Sequence, residues 1–254
     1  MAIEGTSRRD ALRAGVALGA SAVLGPGCAP DFQVLTSWAT PGHRSSVLVV
    51  FLTGYSDEFR DVDNHGVTDV LSEYAGPVDL YVVQDQTPQF FSGEFVDAFD
   101  RRIVQRPWFR HYQHRVLVGF SSGGTAALAY VAGHPDAFDH LVLYAPYLGP
   151  QFIVDEIGEA GGLAKWEPTG PIEDQETRWV WLRRYGDGEV TRPSLWLLWS
   201  RDDEVSVGLP ALEAHLPRER IITIDEGEHG WLAFDQLWTG FVRDHPDVFT
   251  ASGQ

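Results

Sequence analysis

Residues 115–132 read RVLVGFSSGGTAALAYVA. The stretch opens on a β-branched apolar run, Val116-Leu117-Val118, and closes on small helix formers, Thr125 to Ala132. A buried strand followed by a helix is the expected reading. The joint holds Gly119, Ser121, Ser122, Gly123 and Gly124. Such a joint can be a flexible turn, a phosphate cradle or the mounting of a nucleophile. A phosphate loop needs Gly-Lys-Ser/Thr at its end, and Gly124-Thr125-Ala126 has no lysine. The dinucleotide fingerprint fails as well, because position 121 is serine where the second glycine should stand. Gly119-Phe120-Ser121-Ser122-Gly123 does match G-x-S-x-G, and it lies between a strand and a helix, which is the context that gives the pattern meaning. The register selects Ser121, since a frame on Ser122 would need glycine where Phe120 stands. The backbone N–H of Ser122 then becomes an oxyanion donor at the helix start, where the helix dipole favours negative charge.

Outward from this joint, strand-like and helix-like segments alternate. Strands are expected at 46–52, 78–83, 115–120, 140–145, 195–199 and 220–224. Helical spacing marks Val67, Val70, Leu71 and Tyr74, then Phe95, Phe99 and Ile103, and a last helix begins near Trp231. Continuous apolar strands separated by helices predict a mostly parallel sheet covered on both faces. One interval breaks the rhythm. Residues 147–193 separate two strands by far more than an ordinary crossover and are expected to form a small cap insertion.

A serine hydroxyl needs a base, and histidine suits that role near neutral pH. His229, in Gly227-Glu228-His229-Gly230-Trp231, follows the last strand and so lies at the same sheet edge as Ser121. His111, His114 and His134 fall at the opposite edge. The base needs a carboxylate to hold its tautomer. Ser200-Arg201-Asp202-Asp203-Glu204-Val205 follows the fifth clear strand, and Asp203 is the chosen partner, with Asp202 assigned to the turn.

The chain order Ser121, Asp203, His229 resembles that of the α/β-hydrolase superfamily, and the likeness runs from about Ser46 to Phe249. Within it the chain looks most like small bacterial esterases. The resemblance implies the α/β-hydrolase fold and a serine hydrolase cleaving carboxylic esters through an acyl-enzyme. Acyl transfer, peptide cleavage on the same triad, or an inactive surface-tethered binding protein are the alternatives. It also implies a second oxyanion donor in Phe51-Leu52-Thr53-Gly54-Tyr55, by position the N–H of Tyr55, with Thr53 where the family often has histidine. No cofactor and no metal are expected. Phe90, Phe91, Trp166, Trp179, Trp181 and Trp231 are the expected apolar walls of a substrate pocket.

The first thirty residues differ in kind. Ser7-Arg8-Arg9-Asp10-Ala11-Leu12 resembles a twin-arginine export signal, and the apolar stretch from Ala14 to Leu24 is too short for a stable span. Cys28, the only cysteine, ends this segment in an imperfect lipobox and is the candidate for lipidation. The expectation is export, to the periplasm or beyond the cell, with a membrane tether through Cys28. Residues 1–30 are then a signal, and residues 31–254 the hydrolase domain. With no further cysteine, disulfides and thiolate chemistry are excluded from that domain. The formal net charge of -17 disfavours nucleic acid as a partner.

Overall fold

The computed structural model describes residues 33–37, 45–84, 93–168 and 174–251. The signal segment, Cys28, Phe90 and Phe91 lie outside them. Seven strands form one sheet: β1 (Gln33–Ser37), β2 (Val47–Leu52), β3 (Asp79–Gln84), β4 (His114–Phe120), β5 (His140–Tyr144), β6 (Ser194–Ser200) and β7 (Ile221–Ile224). Their order is β1-β3-β2-β4-β5-β6-β7, with β1 antiparallel to β3 and every other pair parallel. This is the α/β-hydrolase fold.

The strands read as unbroken apolar runs because both faces are covered. In β2, Leu48, Val50 and Leu52 enter one core, and Val47, Val49 and Phe51 enter the other. The helices are α1 (Phe59–Asn64), α2 (Val67–Tyr74), α3 (Gly93–Phe99), α4 (Ser122–Gly133), α5 (Gln151–Glu159), α6 (Asp174–Gly186), α7 (Leu209–Glu213) and α8 (Trp231–Asp244). Side chains of α3, α4, α5, α6 and α7 build the first core, and those of α1, α2 and α8 the second. Removing Phe51, which the second core encloses completely, would cost about 3–5 kcal/mol on the usual scale for a large aromatic side chain.

The strand order reverses direction at β2, whose neighbours are β3 on one side and β4 on the other. The connections leaving β2 and β4 therefore part to opposite faces and open a crevice at their carboxyl ends, where open α/β sheets bind ligands. Ser121 follows β4, and the Thr53–Tyr55 loop follows β2. Topology alone brings these two segments side by side.

Three elements differ from the sequence expectation. β1 lacks a continuous apolar run, which an edge strand does not require. Helix α4 starts at Ser122, so the second serine is already helical. The long interval after β5 contains α5 and α6. In α6 the side chains of Trp179, Trp181 and Leu182 point around the helix yet are all buried, so no one-sided period exists to be read.

Candidate active site

The turn between β4 and α4 is a strained elbow. Ser121 has φ 51° and ψ -115°, a region that costs a non-glycine residue on the order of 1–3 kcal/mol. Its N–H donates to the Tyr144 carbonyl at 3.0 Å, and its own carbonyl accepts from the Gly124 N–H at 3.0 Å and the Tyr147 N–H at 3.1 Å. The glycines exist because the backbone packs here without room for a Cβ. One at Gly119 would lie 2.6 Å from the Gly123 carbonyl oxygen. One at Gly123 would strike the Leu52 carbonyl and lie 2.5 Å from that of Thr53. Both of the latter belong to the end of β2 and the loop beyond it, so alanine at 123 would force α4 and that loop apart.

His229 sits between the other two residues chosen from the sequence. Its Nε2 is 2.8 Å from Ser121 Oγ, and its Nδ1 is 2.7 Å from Asp203 Oδ2. A carboxylate can only accept, so Nδ1 carries the proton and Nε2 is left to accept from the serine hydroxyl. Asp203 also accepts from Ser206 Oγ at 2.8 Å and from the Val205 N–H at 2.9 Å. Burial on its own raises the Asp203 carboxyl. The hydrogen bond and charge of His229, then Ser206 and Val205, outweigh it and hold the pKa below the ordinary value of 3.8. Asp203 is thus a fixed anion at neutral pH. Asp202 is exposed in the adjoining turn, which separates the two aspartates by burial. Phe120 lies 5.8 Å from the His229 ring, nearly parallel to it, and the Tyr144 hydroxyl donates to the Gly230 carbonyl at 3.2 Å. These contacts hold the histidine loop against the end of the sheet.

The competing histidines are elsewhere. His114 begins β4 and places Nε2 at 2.9 Å from the Val248 carbonyl, while His134 stacks on Tyr130 at 4.5 Å beyond the far end of α4. Ser122 is buried, and its hydroxyl meets no hydrogen-bond partner among the described residues.

Among the described residues, two backbone N–H groups near Ser121 are left without partners. In the loop after β2, the Thr53 N–H donates to Val83 at 3.1 Å and the Gly54 N–H to Asp57 Oδ2 at 2.9 Å. The next N–H, that of Tyr55, has no acceptor among the described residues. The Ser122 N–H, in the first turn of α4, lacks an intrahelical partner as every helix start does. A Cβ built on Gly54 would lie 3.4 Å from Ser121 Cβ, which measures how closely the loop approaches the serine.

Comparison with known proteins speaks to the family and the fold. The model of the Esterase family matches residues 45–236. The chain belongs to the Esterase family. A search of curated protein sequences returned no match. Among solved structures, an S-formylglutathione hydrolase from Agrobacterium tumefaciens superposes with a TM-score of 0.52 at 14% identity, covering 86% of this chain and 90% of the other. Est1E from Butyrivibrio proteoclasticus, with ferulic acid bound, gives 0.53 at 15% identity over 84% and 93%. The fluorophosphonate-binding serine hydrolase FphF of Staphylococcus aureus, substrate bound, gives 0.54 at 12% over 84% and 91%. At such identities the likeness speaks for the fold. Family and fold together make the chain an α/β-hydrolase enzyme of the esterase type.

In this esterase three of the expected pocket walls need correction. Trp166, Trp179 and Trp181 are 1%, 0% and 4% exposed and belong to the core between the sheet and its helices. The crossover after β5 uses these three tryptophans to cover the sheet, and Arg183 fastens it by donating to the Trp166 carbonyl at 2.5 Å. Trp231 is half-buried. It stacks at 4.8 Å on His65 and donates from Nε1 to Asp57 Oδ1 at 3.0 Å, so it supports the loops around the triad. Exposed apolar side chains after the strand ends are others: Tyr55 at 63%, with Tyr147, Phe152, Val205 and Val207. All five follow the carboxyl ends of β2, β5 or β6. Their position after those strands was legible in the sequence. Their exposure was not.

Proposed function

We propose that this esterase hydrolyses neutral carboxylic esters through an acyl-enzyme on Ser121. The observation that carries the proposal is the continuous line from Ser121 Oγ through His229 to buried Asp203, at 2.8 and 2.7 Å. Ser121 attacks the ester carbonyl as its proton passes to His229 Nε2. Asp203, already ionised, stabilises the imidazolium and keeps its Nδ1 proton in place. The tetrahedral oxyanion takes the free N–H groups of Tyr55 and Ser122. His229 then gives its proton to the leaving alcohol. Water, activated by the same histidine, attacks the acyl-enzyme and releases the acid.

Two features speak for the substrate class. The side chains of Tyr55, Tyr147 and Phe152 offer an open apolar rim, suited to an aromatic or alkyl part of the ester. The part of the 147–193 excursion that serves as a cap is its first stretch, Tyr147 to Phe152, whose backbone starts from a hydrogen bond to Ser121. On the His229 side, beside Asp203, an open depression is lined by Asp202, Glu204, Val205, Glu228 and Arg201, the last with its charge paired to Glu213. Its carboxylates repel anionic substrates and favour departure of the acid product. The bound ferulic acid of Est1E, in a protein of the same fold, supports an aromatic acid as one candidate product. A panel of p-nitrophenyl esters tests the reading. Neutral acyl chains should be cleaved, and a hemisuccinate of equal length should be slower by about tenfold or more. No turnover of any ester by folded protein would overturn the proposal. Ester formation with added alcohols outrunning hydrolysis would assign the chain to acyl transfer instead.

We further propose that the enzyme is exported through Arg8-Arg9 and tethered through Cys28. Among the described residues no helix is long and apolar enough to cross a membrane. Arg8→Lys with Arg9→Lys should retain the protein inside the cell, and Cys28→Ala should release exported protein from the membrane fraction. Unchanged distribution in both variants would refute export and tether.

A further inference from the structure

Asp57 lies outside the Ser121–His229–Asp203 line, yet it touches both segments that flank it. Its Oδ2 accepts from the Gly54 N–H at 2.9 Å, and its own N–H donates to the Gly54 carbonyl at 3.2 Å, so the turn after β2 is closed twice. Its Oδ1 accepts from Trp231 Nε1 at 3.0 Å. Trp231 opens α8, two residues beyond His229. The indole is held parallel to His65 at 4.8 Å and to Phe51 at 6.3 Å, and edge-on to Phe120, the residue before Ser121, at 5.2 Å. One carboxylate thus ties the loop after β2 to the segment that carries the histidine.

The tie decides which backbone N–H is free. Thr53 is already spent on the sheet, through Val83. Gly54 points its N–H at Asp57, and Tyr55 is the first donor left open among the described residues. Without the carboxylate, Gly54 would regain an unpaired N–H beside the serine and the turn would keep only one of its two closures. The side chain also fills the space next to Gly54, where an added Cβ would lie 2.5 Å from Asp57 Oδ2.

We propose that Asp57 is a positioning residue for the oxyanion hole, holding the turn after β2 so that the Tyr55 N–H faces the oxygen of the tetrahedral intermediate. The role rests on the acyl-enzyme mechanism above. Holding a carboxylate here has a cost that a mere surface turn would not impose. Burial raises its pKa above the ordinary value, opposed by the hydrogen bonds from Trp231 and Gly54 and by the charge of His229. The negative charge of Asp61 adds to the rise.

Asp57→Asn separates this role from a structural one. An amide of the same shape has one acceptor oxygen for two N–H donors, so the turn loses one of its two anchors. Hydrolysis of a p-nitrophenyl ester should lose about ten- to a hundredfold in kcat, within the range for an impaired oxyanion donor, while KM changes less than about twofold. Affinity for phenylboronic acid, whose adduct with Ser121 places an oxygen in the hole, should fall in parallel with kcat/KM. The Ser121 reading fails separately, through a wild type that cleaves no ester. An unchanged kcat in folded Asp57→Asn, or a loss of kcat with unchanged boronate affinity, would overturn the role of Asp57. Trp231→Phe keeps an aromatic ring at the start of α8 but removes the N–H, together with part of the indole. It should lose kcat in the same direction by a few-fold, and if Asp57→Asn fails to fold, an unchanged kcat in Trp231→Phe overturns the proposal.

Discussion

Ser121→Ala should abolish both ester turnover and labelling by a fluorophosphonate probe. The expected loss in kcat is about six orders of magnitude, the size reported by removal of a serine nucleophile whose partners remain in place. What remains would be the modest catalysis that a binding site and its oxyanion donors give over water. The variant should fold, because alanine removes only an oxygen that is half-buried beside His229 and the backbone strain at φ 51° is unchanged. Ser122→Ala supplies the contrast. Its hydroxyl meets no hydrogen-bond partner among the described residues and its contribution is a backbone N–H, which alanine keeps. Labelling and turnover should stay within a few-fold of wild type. Mass spectrometry of the labelled peptide should place the adduct on Ser121. A probe adduct on another serine, or retained labelling in Ser121→Ala, would remove the nucleophile assigned here.

Asp203→Asn should lower kcat by about four orders of magnitude with little change in fold. The size of the effect comes from the tautomer. The carboxylate accepts from His229 Nδ1 at 2.7 Å, from Ser206 Oγ and from the Val205 N–H, and three donors around one group leave it no role but acceptor. An asparagine in that place must turn either its oxygen or its NH2 toward Nδ1. If the NH2 faces the ring, Nδ1 becomes the acceptor and Nε2 carries the proton, so it can no longer take the one on Ser121 Oγ. Even in the other orientation the imidazolium formed during attack lacks its counter-ion. Asp202→Asn is the control. That side chain is exposed in the turn, and its replacement should leave kcat within about twofold. If Asp202→Asn proved the costly substitution, the orienter of His229 would be misassigned.

Much of this was legible in the residues. Val116-Leu117-Val118 before the serine and the small residues after it announce a strand and a helix, because a strand enclosed on both faces must be apolar throughout. Gly119 and Gly123 announce a close approach, and the structure shows the approach to be Gly123 against the carbonyls of Leu52 and Thr53. Ser121, Asp203 and His229 were selectable together because each follows a strand and so belongs to one sheet edge. Trp166, Trp179 and Trp181 differ from the expectation for a reason that lies in the same physics. A large aromatic is used equally well to cover a sheet or to line a pocket, and its own identity does not say which. In α6 the apolar residues run around the helix, so no face pointed outward to betray the burial.

By itself, then, the sequence determined the alternation of strands and helices, the elbow and the order Ser121, Asp203, His229. These are local or one-dimensional properties, set by side-chain period, backbone strain and chain direction. Only the tertiary structure decided which aspartate is buried, which N–H groups are left without partners, and which aromatics are core. It alone joined Asp57 to Trp231 across 174 positions of chain. Burial and hydrogen-bond partnership are properties of neighbours brought together by the sheet order, and that order is not written in any single stretch of residues.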